Sequence, residues 1–313
     1  MKTFDLSRFA YKSGVSSNYT SKYAADGELA RSATATTPST PSSSASTPPL
    51  ARSHTENDAA APKAKKRKYA YEPPETFAEL SGVPDFMTHD CDLMLVGINP
   101  GRTSATLGHH FAHPSNAFYS CLYESGLTPT KLRPEQDRIL PVLNYSITNL
   151  NHRPTVTQSQ LSKAESRAMV PELCWKVHEY KPKLVAFVGK SIWDDVYYVF
   201  KSNSSGFDYR VDKKKKADVK RSGDCDETAG FLLQKFKIVH EDGTESLFFT
   251  LPSTSGLVAT YQKDAKVRAF TRCKETLDKI KEGGIDTKDM HVVDSRKLAD
   301  SYAEKLQQEN KAL

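Results

Sequence analysis

The residues Leu93-Met94-Leu95-Val96-Gly97-Ile98-Asn99-Pro100-Gly101 constrain the fold more than any other stretch of the chain. An apolar run this short and this β-branched reads as a buried strand rather than a helix, and Gly97, Pro100 and Gly101 force a turn at its end. A strand that is apolar on both faces belongs in a sheet with helices on both sides. In such an open sheet, ligands bind outside the carboxyl ends of the strands, so Asn99 stands where chemistry is done. The bland alternative is that Asn99 closes an Asx-turn or caps the next element.

The rest of the chain supplies the partners that such a strand needs. Ser146-Ile147-Thr148-Asn149-Leu150 reads as a second short strand and Leu184-Val185-Ala186-Phe187-Val188 as a third. A helical period over Ser162 to Tyr180 precedes the third strand, and a new helix is predicted from Ser191, just after Gly189-Lys190. This alternation of helix, strand and helix marks a parallel sheet. Phe236–His240 and Ser246–Leu251 flank Glu241-Asp242-Gly243-Thr244 and predict a hairpin. Arg102 to Ser115, rich in Gly, His and Pro, reads as a loop. Phe118, Cys121 and Leu122 predict a helix from Asn116 to Gly126, and Lys263–Lys281 carries an amphipathic one. The expected fold class is α/β, a three-layer αβα sandwich around a central, mostly parallel sheet.

The ends differ in composition from the middle. Thr36 to Pro49 is almost entirely Ser, Thr, Pro and Ala, which cannot bury enough apolar surface to offset the entropy of ordering. Residues 1–75 are therefore expected to be a disordered, basic tail. Residues 76–283 are expected to form the folded domain, with a mobile lysine-rich insertion at 202–230. Residues 284–313 read as a loosely attached charged helix. Within the tail, Phe4 to Tyr11 has apolar residues suited to docking on a partner; Asp5 and the sparse arginines argue against a mitochondrial presequence. Lys63 to Lys68 reads as a nuclear import signal or DNA tether, against the plainer reading of a solvated linker. The chain carries 44 Lys+Arg against 38 Asp+Glu, a net +6, of which +4 falls in the first 75 residues. The near-neutral remainder implies local patches for an anionic polymer. No apolar run approaches the ~18 residues that would span a bilayer, so a soluble protein without membrane attachment is expected. Five scattered cysteines exclude a zinc ribbon, an iron–sulfur cluster or a disulfide framework and read as reduced thiols.

Three strands thus end in small or polar loops that a parallel sheet brings to one edge. The loops are Gly97-Ile98-Asn99-Pro100-Gly101, Thr148-Asn149-Leu150 with Arg153-Pro154-Thr155, and Leu251-Pro252-Ser253-Thr254-Ser255-Gly256-Leu257. Together with His110-Phe111-Ala112-His113-Pro114-Ser115-Asn116-Ala117-Phe118-Tyr119, they resemble the mismatch-specific uracil/thymine DNA glycosylase family, within the uracil-DNA glycosylase superfamily. The resemblance spans roughly residues 77–281 and omits both tails and the insertion.

The resemblance implies hydrolysis of an N-glycosidic bond through an oxocarbenium-like sugar. Asn99 orients the water, because an amide takes up no proton at neutral pH and offers only its carbonyl as an acceptor. Thr155 helps to hold that water. Other branches of the superfamily place Asp at the position of Asn99 and His near that of Ser253; both are absent here, which implies a slow enzyme. By position, Ile98, Ser104, Phe111, Asn116 and Asn149 form the base pocket. Phe111 stacks on the flipped base, the two asparagines hydrogen-bond it, Ile98 offers its backbone amide, and Ser104 sits at the pyrimidine C5 edge. Lys190, Ser253, Ser255 and Gly256 contact DNA, and Leu257 is the wedge that fills the vacated stack. The plainer readings are loop capping for the asparagines, an exposed lysine at 190, and core positions for Phe111 and Leu257. The family uses no cofactor and no metal; His109, His110 and His113 have no carboxylate or cysteine beside them in sequence to complete a metal site. Expected partners are double-stranded DNA with G·U or G·T mismatches and, through Val292 and Val293, a ubiquitin-like modifier. A nuclear monomer is expected. A competing reading is a slow or inactive mismatch-binding module that recruits repair partners.

Overall fold

The run that opens at Leu93 forms β1 (Leu93–Gly97), all five residues of which are buried. It lies inside a six-stranded sheet with β2 (Tyr145–Asn149), β3 (Leu184–Val188), β4 (Leu233–Val239), β5 (Glu245–Leu251) and β6 (His291–Val292), in the order β2-β1-β3-β5-β4-β6. The computed structural model describes residues 79–203, 230–258 and 260–311. The N-terminal tail, with its Phe4–Tyr11 and Lys63–Lys68 segments, and nearly all of the 202–230 insertion lie outside the described residues.

β2, β1, β3 and β5 run parallel, and β4 pairs antiparallel with β5 across the hairpin anticipated at Glu241–Thr244. Side-chain alternation then divides the core into two layers. Leu93 and Leu95 of β1, Leu184 and Ala186 of β3, and Leu247 and Phe249 of β5 face Phe118, Leu122, Phe270 and Leu277. These last four come from α2 (Phe118–Glu124) and α6 (Lys263–Lys281). Met94, Val96, Val185, Phe187 and Phe248 face the other way, against Val177, Ile192, Trp193 and Val196. Those residues belong to α4 (Val170–Tyr180) and α5 (Lys190–Asn203). The three-layer αβα architecture is thus what the doubly apolar strands require.

Three local differences from the sequence reading have physical causes, beside a stretch, Pro134–Leu143, to which the sequence reading assigned no structure. Arg102–Ser115 is not all loop: Arg102–Leu107 is a short helix, α1, ended by Gly108 at φ +71° with its N–H on the Ser104 carbonyl. Gly, His and Pro crowd only the second half of that stretch, where the chain turns. The helix over Ser162–Tyr180 is two helices, α3 (Lys163–Ala168) and α4, because Pro171 has no N–H to continue the first ladder and is instead tolerated in the first turn of the second. Pro134–Leu143 forms a 3-10 helix with prolines at its start and interior. Finally, residues 284–311 are not loosely attached: β6 pairs parallel with β4, and Val293 and Ala299, the latter on α7 (Arg296–Lys311), are buried in the second core layer.

Candidate active site

The strand order brings the ends of β1 and β2 side by side. Gly97 pairs with Asn149, and beyond the strands Gly101 bridges to Thr155, whose N–H donates to the Pro100 carbonyl at 3.1 Å. Asn99 sits between these pairings and is half-buried. Its amide nitrogen donates to the carbonyl of Arg153 at 2.9 Å, to Thr155 Oγ1 at 2.8 Å and to its neighbour's carbonyl, Pro100, at 3.2 Å. All of the amide's donor capacity is therefore turned into the protein, which leaves Oδ1 as the acceptor facing outward. The anticipated pair Asn99 and Thr155 is in direct contact, although the two lie 56 residues apart in sequence.

Beside them, Asn149 and Phe111 close over Gly97. A Cβ at that position would overlap Asn149 Oδ1 and lie 3.2 Å from Phe111 Cζ, so the two side chains meet over the one residue that leaves them room. Phe111 adopts φ +52° and stacks on Phe118 with 3.9 Å between ring centroids. Its left-handed turn is held by Ser104, whose hydroxyl accepts the Ala112 N–H at 3.0 Å. Ser104 is buried and bonded to backbone, so its first duty is to shape the loop that presents Phe111. Asn116 acts locally as well, its carbonyl oxygen accepting the Phe118 N–H at 3.0 Å in the first turn of α2. The Ile98 carbonyl is occupied by the backbone and side-chain nitrogens of Asn151, at 2.8 and 2.9 Å.

His110, which the sequence offers only as a candidate metal ligand, is part of this cluster. It is 2% exposed; Nε2 lies 2.9 Å from the Pro84 carbonyl and Nδ1 lies 3.4 Å from Asn149 Nδ2. Burial lowers its pKa, so the ring is neutral at pH 7. A carbonyl only accepts, so Nε2 carries the proton and Nδ1 accepts a hydrogen bond from the Asn149 amide. That contact turns Asn149 Oδ1 toward Gly97 and Phe111. Sequence reasoning missed this role because the partners, Pro84 and Asn149, are remote in the chain. The other two histidines serve separately: His109 contacts buried Asp137 at 3.2 Å, and His113 contacts Ser115 Oγ at 2.8 Å.

The loop after β5 projects at the same edge. Leu257 is 74% exposed and therefore not a core residue. Its N–H is bonded to Ser255 Oγ at 3.3 Å, and the Ser255 N–H reaches Ser253 Oγ at 3.4 Å. Gly256 lies against Ser115 so closely that a Cβ would overlap the serine side chain. Lys266, buried on α6, aims its ammonium at the carbonyls of Ser255 and Val258 from 3.5 and 3.4 Å. Lys190 begins α5, is partly exposed and sits 3.7 Å from Asp194. On the opposite side of the sheet, Val293 is buried and its N–H donates to the Lys237 carbonyl, so of the pair Val292–Val293 only Val292 is presented to solvent.

An amide with its donors tied down beside a hydroxyl, a second amide and an aromatic ring over a glycine floor, and an exposed leucine on a serine-rich loop share one sheet edge. The family model described as the uracil DNA glycosylase superfamily matches residues 84–278, which contain every one of these groups. The chain belongs to the uracil DNA glycosylase superfamily.

Proposed function

We propose that the protein is a monofunctional DNA glycosylase of base excision repair. It extrudes uracil, and more slowly thymine, from mismatches with guanine and hydrolyses the N-glycosidic bond to leave an abasic site. The observation that carries this reading is the orientation of Asn99, with Nδ2 on Arg153 O and Thr155 Oγ1 and Oδ1 presented outward. A carbonyl so placed accepts a hydrogen bond from the attacking water and aims the water's lone pair at C1′; the base departs as its anion with the electrons of the broken C1′–N bond, and the water's proton passes to solvent. The same orientation favours catalysis over a pure binding role, for which a fixed acceptor at the strand end has no use.

Asn149 supplies base selection. With its nitrogen on His110, its Oδ1 faces Gly97 and Phe111 as an acceptor, and uracil and thymine carry an N3–H where cytosine has a lone pair. A site built around one acceptor rejects a base that offers another, because two lone pairs then meet in a desolvated pocket. Phe111 provides the ring on which the base lies, Ser253 and Ser255 hold the flanking phosphates, and Leu257 takes the base's place in the stack. The basic cluster Lys63–Lys68 adds sequence-independent DNA affinity and the nuclear address.

The test uses the purified full-length chain in excess over duplexes carrying uracil or thymine opposite guanine, or uracil opposite adenine, with alkali to cleave abasic sites. Release from G·U much faster than from G·T or A·U, and none with Asn99→Ala at wild-type DNA affinity, is expected. Equal G·U and A·U rates would remove mismatch recognition from the reading, and an active Asn99→Ala variant would remove the role of Asn99.

A further inference from the structure

Arg153 is a basic residue in the middle of the proposed active-site loop of a DNA-binding protein, and the simplest assignment for it is a phosphate contact. Its geometry says otherwise. The guanidinium is folded inward and grips the carboxylate of Glu165 with two bonds, Nε to Oε1 at 2.6 Å and Nη2 to Oε2 at 2.9 Å. Nη2 also reaches the Gln160 carbonyl at 3.2 Å. Such forked pairing fixes the orientation of both groups. Glu165 is itself fixed, because it lies in the first turn of α3, where its N–H is capped by Ser162 Oγ at 3.0 Å. A second brace acts three residues further along the loop: Gln160 Oε1 accepts the N–H groups of Val156 and Thr157 at 2.8 and 3.0 Å. The loop from Arg153 to Thr157 is thus bolted to the segment Gln160–Glu165 at both ends, and it carries the two acceptors, Arg153 O and Thr155 Oγ1, that orient Asn99.

We infer that Arg153 and Glu165 are a positioning pair for hydrolysis: they contact neither base nor phosphate, but set the backbone carbonyl and hydroxyl that hold the Asn99 amide in its working orientation. The inference rests on Asn99 as the residue that orients the water. Removing the carboxylate frees the guanidinium to swing outward, lets the loop relax and loosens the amide. A shift of about 1 Å at a reacting centre costs on the order of a hundredfold in rate, so partial relaxation is expected to cost at least about tenfold.

Glu165→Gln is the discriminating variant, because it removes a negative charge and so on simple electrostatics leaves DNA binding equal or tighter. Single-turnover uracil release from a G·U duplex at saturating enzyme is measured beside the Kd for the same duplex carrying a 2′-fluorinated, uncleavable deoxyuridine, and beside Tm. The inference expects a rate loss of at least about tenfold, unchanged or lower Kd, and unchanged Tm. It expects Arg153→Met and the double variant to be no slower than the slower single one, since residues acting as a unit are not additive. Arg153→Lys, which keeps the charge but not the fork, should fall between wild type and Arg153→Met. A Glu165→Gln rate within twofold of wild type overturns the inference, as does a loss of Tm and binding in parallel with rate, or weakened binding confined to Arg153→Met. Asn99→Ala is the control: if it retains a near-normal rate, the reading of Asn99 fails and takes this inference with it. If it is inactive while Glu165→Gln is normal, only this inference fails.

Discussion

Replacing Leu257 by alanine separates the chemistry of base release from the work of base extrusion. In the free protein the side chain is 74% exposed and its backbone is held by Ser255 Oγ, so truncation removes almost nothing from the core. Exposed substitutions of this kind change stability by about 0.5 kcal/mol or less, and Tm should move by no more than about 2 °C. Under the proposed function, the side chain leaves water on DNA for the gap left by the extruded base. Fully burying a leucine is worth about 1.5–3 kcal/mol, against an unstacking and unpairing cost of a few kcal/mol. At about 1.36 kcal/mol per decade of rate, losing most of that burial slows release by roughly 10- to 100-fold.

The assay is single-turnover release of uracil at saturating enzyme from three substrates: a G·U duplex, the same strand unpaired, and a duplex with the uracil opposite an abasic site. Only the paired substrate requires a stack to be opened and held open. The variant should be slow on the G·U duplex and within about twofold of wild type on the others. Equal slowing on all three, or a Tm lower by several degrees, would refute the reasoning, because either result makes Leu257 part of the folded scaffold.

Two further predictions come from the hydrogen bonds around Phe111 and Asn149. Ser104→Ala leaves the buried Ala112 N–H without its acceptor, at a cost of about 1–3 kcal/mol, so Tm should fall by several degrees in a thermal melt. Uracil release should slow more than thymine release, which narrows the gap between them; an unchanged Tm together with an unchanged uracil rate would contradict this. The pH dependence reflects His110, His178 and His240, all with pKa values lowered first by burial, His178 to about 4. A base with a depressed folded pKa gives full stability above its unfolded value of about 6.5. As pH falls below that value the unfolded chain binds protons that the folded chain refuses, so Tm should decline from pH 7 toward pH 5. Uracil release should be flat above neutrality and fall in acid once His110 charges and repels the Asn149 amide. An acid-independent Tm over that range would sink the assignment of neutral, buried imidazoles.

How much of this was legible in the sequence depended on whether the signal was local. Lys263–Lys281 and Leu184–Val188 were readable to the residue, since an uninterrupted helical period and an uninterrupted apolar run each report one environment. α1 was hidden because six helical residues lie next to a longer stretch of turn formers, and β6 because two residues carry no period. At the site, Asn99 could be picked out because strand ends in an open sheet announce where ligands go, whereas Thr155, Phe111 and Asn149 were named through the family resemblance. Their hydrogen-bond partners could not be picked out. Ser104 to Ala112, His110 to Asn149 and Arg153 to Glu165 are contacts whose meaning depends on side-chain direction, and a sequence contains no angle.

The two asparagines at the centre of the site are arranged on one principle. In each, the nitrogen is tied to the protein, by Arg153 O and Thr155 Oγ1 for Asn99 and by His110 Nδ1 for Asn149, so that each oxygen is left as the free acceptor, that of Asn149 toward Gly97 and Phe111. An amide is nearly symmetric in shape, and packing alone does not choose between its two orientations. Flipping Asn99 would set its oxygen against the Arg153 carbonyl, which only accepts, although the Thr155 hydroxyl could donate to it instead; the lost bond and the facing lone pairs cost about 1–3 kcal/mol, enough to hold one orientation. In the proposed mechanism neither residue titrates near neutrality, so neither can raise the rate by taking or giving a proton. What remains is accuracy of placement, and under these proposals that accuracy depends on residues behind the asparagines, Arg153 and Glu165 for Asn99 and His110 for Asn149.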